Sequence, residues 1–82
     1  TLIAFDLPMA GPVELAIYGV NGRLIRRLGK DTREAGRQTV SWDCRDDAGG
    51  KVGSGIYFCK LEAAALDGGR SFTDIRKMML LK

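Results

Sequence analysis

Apolar and polar side chains alternate along most of this 82-residue chain, in short runs separated by glycine, proline and asparagine. In the run VELAIYGV, for example, Val13, Leu15 and Ile17 share one face and the residues between them share the other. A repeat of two residues is typical of a β-strand with one buried face, because successive strand side chains point to opposite sides. The alternation therefore predicts an all-β fold.

Five segments carry this pattern and are predicted strands: residues 2–7, 13–20, 37–44, 55–63 and 71–81. A further strand is irregular, and we predict six to seven short strands in all, joined at regular spacing by turns. Such a pattern indicates an antiparallel β-sandwich or a small barrel. The side chains expected in its core are Val13, Leu15, Ile17, Val40, Trp42, Tyr57 and Leu61.

The connections carry turn signals of different strength. Asn21-Gly22 predicts a type I′ hairpin turn, because both residues tolerate positive φ. Residues 23–30 have apolar positions at helical spacing, but a turn precedes them directly, so we interpret them as an irregular strand with a bulge. We expect residues 30–36 to form a polar loop and residues 67–70 a second hairpin turn.

The stretch WDCRDDAGGKVGSGIYFC, residues 42–59, raises the question of a metal site. Asp43, Asp46 and Asp47 have neither the alternate spacing nor the closing glutamate of a calcium loop. Aspartates also stabilise turns by accepting hydrogen bonds from nearby backbone amides. We therefore predict no metal and no cofactor, and assign a structural turn role to Asn21, Gly22, Asp43, Asp46, Gly49 and Gly55.

The two cysteines, Cys44 and Cys59, have two interpretations. If residues 42–44 and 57–59 belong to neighbouring antiparallel strands, the turn between them brings the cysteines together. A disulfide closing this span would stabilise the fold by about 3 kcal/mol in the chain-entropy estimate. The alternative is a pair of reduced, buried thiols that behave as small hydrophobic side chains.

Several classes of protein are disfavoured by what the sequence lacks. There is no histidine, so neither Ser-His-Asp nor Cys-His catalysis is possible, and two cysteines alone make a poor zinc site. Paired aspartates on a loop tip offer no obvious cleft for glycoside hydrolysis. The longest apolar runs have four residues, too few to cross a bilayer. We predict that the chain is not an enzyme and has no membrane span.

Basic residues are concentrated in one window. The formal net charge is +3, and six of the thirteen basic residues lie together: Arg23, Arg26, Arg27, Lys30, Arg33 and Arg37. Nucleic-acid binding is not expected, because no aromatic residue interrupts the window to stack on bases. Binding of a polysaccharide or another polyanion is a lesser alternative, and a solvated outer surface is the favoured interpretation.

The order of several blocks resembles a known family. The blocks are LIAFDLP, then VELAIYGVNGRLIRRL, then AGRQTVSWDCRDDAGGKVGSGIYF, and RKMMLLK at the end. Together they resemble the FlgD-type immunoglobulin-like domain and the C-terminal sorting domains of secreted bacterial proteins. Members often have glycine where Cys44 stands and an aromatic residue where Cys59 stands. This paired replacement fits a disulfide bridge between the two positions.

The resemblance implies a fold and a set of functions. The fold is an immunoglobulin- or fibronectin-III-like sandwich, with residues 1–82 as one domain, a fragment or the C-terminal end of a larger protein. The function is that of a non-catalytic secretion, anchoring or accessory module of an exported protein. Its partners would be the rest of the parent polypeptide or the secretion machinery.

An alternative is a self-assembling or scaffolding subunit, like the module in the flagellar hook-capping protein. Unpaired edge strands would then join copies of the chain. In both cases the terminal block is the expected interaction strand: Lys77, Met78, Met79, Leu80, Leu81 and Lys82.

Overall fold

The structure, a computed structural model, describes residues 1–66 and 69–81. Its strands are β1 (Leu2–Leu7), β2 (Gly11–Gly19), β3 (Leu24–Arg33), β4 (Gly36–Ser41), β5 (Gly55–Ala64) and β6 (Ser71–Leu80). Strand β1 pairs with β4 in a two-stranded sheet, and the other four form a sheet in the order β3-β2-β5-β6. All pairings are antiparallel. The antiparallel sandwich expected from the sequence is confirmed.

The hydrophobic core lies between the two sheets. Strand β1 contributes alternate residues to it, and the facing strands β2 and β5 do the same, because one face of each strand is turned inward. The buried core residues are Ile3, Phe5, Leu7, Val13, Leu15, Ile17, Trp42, Cys59, Leu61, Ala63 and Leu80, and Val40 and Tyr57 pack against them half-buried.

Trp42 is the largest fully buried side chain, with 1% of its surface exposed. Its indole N–H donates a hydrogen bond to the backbone oxygen of Arg45 at 3.0 Å, so the ring is buried without an unpaired donor. The ring of Tyr57 meets it edge-on, with centroids 5.6 Å apart. Trp42 thus joins the end of the small sheet to β5 of the large one.

Strand β3 is longer and more irregular than the alternation of its residues suggests. Its register against β2 shifts twice, so that Ile25 and Leu28 are extra residues and both pack on the core. The predicted bulge is confirmed, and it explains the helix-like spacing. The predicted polar loop at residues 30–36 is wrong: β3 continues to Arg33, because backbone pairing with β2 needs no apolar side chain.

The two predicted hairpin turns lie at residues 21–22 and 67–70. The type I′ turn at Asn21-Gly22 is wrong, because only Gly22 has positive φ, at 82°. Gly22 N–H donates to Gly19 O at 3.0 Å, and Gly19 N–H donates to Arg23 O at 2.8 Å. These bonds form a three-residue loop with glycine in the left-handed region, the next commonest hairpin solution. In the second turn, Asp67 and Gly68 lie outside the described residues.

Candidate functional site

The two cysteines are free thiols, and the pairing that would bring them together does not occur. Strand β4 ends at Ser41 and pairs with β1, whereas β5 pairs with β2 and β6. The expected strand pairing of residues 42–44 with residues 57–59 is therefore wrong. The carbonyl of Cys44 instead accepts a hydrogen bond from Val52 N–H at 3.0 Å, within its own loop.

Cys59 is placed where a thiol is unreactive. It faces the core with 3% of its surface exposed. Burial raises the pKa of its thiol from 9.0 to about 11; the nearby Asp74 carboxylate raises it further and Arg76 opposes the rise. Because the thiolate is the reactive form, Cys59 behaves as a small core side chain at neutral pH. Cys44, in contrast, is half-exposed and has a positive φ of 60°.

The aspartates between the two cysteines stabilise a compact segment, which we call the aspartate loop (residues 43–50). Asp43 Oδ1 accepts a hydrogen bond from Arg45 N–H at 3.1 Å, and Asp46 Oδ1 accepts one from Gly50 N–H at 2.8 Å. The structure places Gly49 there with a φ of 90°, and Gly55 at the start of β5. Within residues 1–66 and 69–81, no cluster of potential metal ligands is found.

The aspartate loop also covers part of the outer edge of β3, a role that the sequence did not reveal. Asp47 N–H donates to Ile25 O at 3.0 Å, and Asp47 Oδ1 accepts from Arg27 N–H at 3.0 Å. Arg26 Nη1 adds a bond to Asp46 O at 3.1 Å. These contacts satisfy edge groups that would otherwise be open to another strand.

The basic window lies on β3 and β4, where acidic neighbours compensate much of its charge. Four of its six side chains form ion pairs: Arg26 with Asp43 and Asp47, Arg27 with Glu14, Arg33 with Asp31, and Arg37 with Asp6. Arg23 and Lys30 have no ion pair within the described part of the chain. The window therefore does not present six free cations to a polyanion.

The outer face of the four-stranded sheet carries an apolar groove. Tyr18 lies directly opposite Phe58 in the β2–β5 pairing, so two aromatic side chains occupy adjacent positions on this face. Together with Ile75 they line a shallow groove of about 380 Å³. The alternation of β2 places Tyr18 on the polar face of its strand, but the position opposite it depends on the register between two strands that are distant in sequence.

The longest uncovered edge belongs to β6. Its ten residues pair with β5 in one uninterrupted register, and no other described strand pairs with it. Strand β3, at the opposite edge, has two bulges, a positive φ at Gly29 and the aspartate loop, all of which discourage a further strand. We refer to the side of β6 that faces away from β5 as the β6 edge.

The side chains of β6 divide between core and surface. Leu80 is buried and Met78 half-buried on the inner face, whereas Ile75 and Met79 are 59% and 69% exposed on the outer face. Of the expected interaction strand, Lys77 to Leu80 lie in β6, Leu81 follows it and is exposed, and Lys82 lies outside the described residues. The terminal block therefore supplies core residues as well as a surface.

No helix in the described residues is long and apolar enough to span a membrane.

The architecture defines the class of protein: an immunoglobulin-like β-sandwich whose longest regular edge strand, β6, is uncovered. The sequence model of the FlgD Ig-like domain matches residues 3–67, and the chain belongs to that family. Among solved structures it is similar to FlgD from P. aeruginosa, with a TM-score of 0.79 and 20% sequence identity.

The match to that structure covers 95% of this chain and 59% of the P. aeruginosa chain. The chain thus spans less than two thirds of the length of the protein it matches. At 20% identity, the likeness concerns the fold. No curated protein matches the chain.

Proposed function

We propose that this chain is a single-domain, non-catalytic structural module of an exported bacterial protein, where it serves in secretion, anchoring or as an accessory domain. The observation that carries the proposal is the β6 edge, ten regular residues with one side unpaired. A partner strand can add to such an edge through backbone hydrogen bonds, and side chains on alternate positions then give specificity. Exposed Ile75 and Met79 supply those side chains.

The contacts of the aspartates and of Cys59 support a structural role for the domain. The aspartates of the aspartate loop hold its backbone and the edge of β3. Cys59 is a core residue with a thiol pKa of about 11. Side chains that would be candidates for chemistry therefore serve the fold, as expected of a module that acts through its surface.

A scaffolding or self-assembling subunit is the second candidate. It is favoured by the charges of β6, where Asp74 and Arg76 stand two residues apart on the inner face of the same edge strand. Opposite charges at this spacing allow a strand to pair with a copy of itself. Binding of polysaccharides or polyanions is not proposed, since ion pairs compensate most of the basic window.

The proposal is tested by export of the parent polypeptide from its bacterial host. Deleting Lys77 to Lys82 would remove the core residue Leu80, so substitutions on the surface are preferable. Ile75→Lys combined with Met79→Lys adds two charges to the outer face beside the β6 edge. The matched control is Leu2→Lys on β1, where the side chain is 76% exposed.

We expect the double variant to accumulate inside the cell in folded form, while the control is exported normally. Equal export of both variants would contradict the role of the β6 edge in secretion. Export followed by release of only the double variant into the medium would assign the edge to anchoring instead.

A further inference from the structure

We propose that the β6 edge binds the β6 edge of a second copy of this chain, antiparallel, about a two-fold axis through Ile75. This inference rests on the proposed function, which makes the β6 edge the contact surface. It adds the identity of the partner and the register of the contact. Self-association through one patch that is used by both copies is the commonest symmetry of soluble oligomers.

The pleat of β6 restricts the possible registers. Its even-numbered residues face the core side, with Met78 and Leu80 against the core, and its odd-numbered residues face outward. Residues directly opposite each other in an antiparallel pair lie on the same face of the sheet, so an inner residue must meet an inner residue. Allowed registers of a two-fold pair therefore differ by steps of two residues.

The charges on the inner face select one of these registers. With Ile75 opposite Ile75 of the second copy, each Asp74 lies opposite the Arg76 of the other chain. A shift of one step would place Asp74 opposite Asp74, and a shift the other way would place Arg76 opposite Arg76. Opposite charges across a strand pair are stabilising and like charges are destabilising.

The same register also matches the remaining side chains. Half-buried Phe72 lies opposite Met78 on the inner face, and Lys77 lies opposite the uncharged Thr73 on the outer face. Ile75, which is 59% exposed and lines the groove beside Phe58, meets its own copy on the axis. Phe72, Ile75 and Met78 therefore meet apolar groups, Met79 meets the small polar Ser71, and no like charges are opposed.

The resulting assembly is a continuous eight-stranded antiparallel sheet, with four strands from each copy. Both two-stranded sheets lie on the same side of it, because the two-fold axis is perpendicular to the sheet. In the free chain, Arg76 Nε lies 3.1 Å from Asp74 Oδ2 along the same strand. Both side chains are partly exposed, at 50% and 35%, so they are available to exchange partners across the axis.

The first test is a charge exchange, read by sedimentation equilibrium of the full chain. In the dimer, position 74 of each copy lies opposite position 76 of the other. Asp74→Arg therefore makes both of these pairs basic–basic, and Arg76→Asp makes both of them acidic–acidic. Each variant alone should dissociate more easily than the wild type, on the order of tenfold or more. An equimolar mixture of the two variants should form heterodimers, because every pair is then again of opposite charge.

The double variant Asp74→Arg/Arg76→Asp should also dimerise like the wild type. Both single variants also lose the ion pair between Asp74 and Arg76 within one strand. Thermal unfolding of every variant shows whether this loss changes the stability of the fold. If the mixture stays monomeric while both variants are folded, the register is wrong.

The second test is a disulfide across the axis, in a Cys44→Ser background that leaves only buried Cys59. Ile75→Cys places the new thiol opposite its own copy, with Cα atoms about 4.5–5.5 Å apart, within reach of a disulfide. In the control Thr73→Cys, the equivalent positions are four residues apart along the strand, about 13 Å. Only Ile75→Cys should cross-link rapidly under mild oxidation.

The outcomes separate this inference from the proposed function. Equal cross-linking of the two cysteine variants, with a wild-type chain that stays monomeric up to about 1 mM, would overturn the homodimer. Loss of export in the Ile75→Lys/Met79→Lys variant would still support the β6 edge as a contact for another strand. Cross-linking of Thr73→Cys alone would establish a dimer in a different register and overturn the pairing at Ile75.

Discussion

Gly11 is the residue at which the packing of this sandwich is expected to be least tolerant. It opens β2 and is buried, and a Cβ atom added there would lie 1.8 Å from the carbonyl oxygen of Ala64 and 2.9 Å from its carbon. Separations below 3.0 Å are essentially never observed for Cβ atoms. The neighbouring atoms belong to the backbone, so no side-chain rotation relieves the contact.

In a Gly11→Ala variant, the two backbones must therefore move apart by more than 1 Å at the end of β5. Overpacking of this kind typically costs about 1–3 kcal/mol and more where the backbone must shift. Because alanine reduces the conformational entropy of the unfolded chain, it offsets less than about 1 kcal/mol of this cost. We expect a net loss of about 3 kcal/mol, a large part of the roughly 4–12 kcal/mol available to a chain of this size.

The assay is urea unfolding followed by the fluorescence of Trp42, which is the only tryptophan and is buried. Gly53→Ala is the matched control, since a Cβ there has no atom within 4 Å and its φ is not positive. The control should change the free energy of unfolding by less than about 0.5 kcal/mol. If the free energy of unfolding of Gly11→Ala lies within about 1 kcal/mol of that of the Gly53→Ala control, the steric argument is refuted.

Four further predictions concern the loop and the core. Trp42→Phe should lower the free energy of unfolding by about 2 kcal/mol in a urea titration followed by circular dichroism, because a cavity forms and the part-buried carbonyl of Arg45 loses its donor. Asp47→Ala should cost about 1 kcal/mol in the same assay, because a backbone amide on the edge of β3 loses its acceptor. In mass-spectrometric alkylation of the native chain, Cys44 should react and Cys59 should not. Stability should fall as pH rises from about 9 towards about 11, because the unfolded chain releases the Cys59 proton first.

Each of these predictions has an outcome that would contradict it. Unchanged stability in Trp42→Phe would mean that neither the lost indole volume nor its N–H matters. A neutral Asp47→Ala would mean that the Asp47 side chain does not stabilise the β3 edge. Native alkylation of Cys59 at the rate of Cys44 would contradict its burial. A Cys59→Ala variant should lose the pH dependence; if it does not, other groups cause it.

The sequence predicts those properties that depend only on residues close together along the chain. Alternation placed Val13, Leu15 and Ile17 on one face, and the structure buries all three. The broken alternation of residues 23–30 predicted a bulge, which β3 has. Strand faces are local, because the backbone geometry sends successive side chains to opposite sides whatever the partner strand. The family, too, could be identified from the order of the sequence blocks.

Which strands are neighbours depends on tertiary packing. The same alternation permits β4 to pair with β5 or with β1, and the second pairing leaves Cys44 and Cys59 as separate thiols. Likewise, nothing local distinguishes Asp47 as the residue that covers β3, or β6 as the longest edge left uncovered. Strand partners are chosen by the packing of the whole core, and this choice sets the interaction surface.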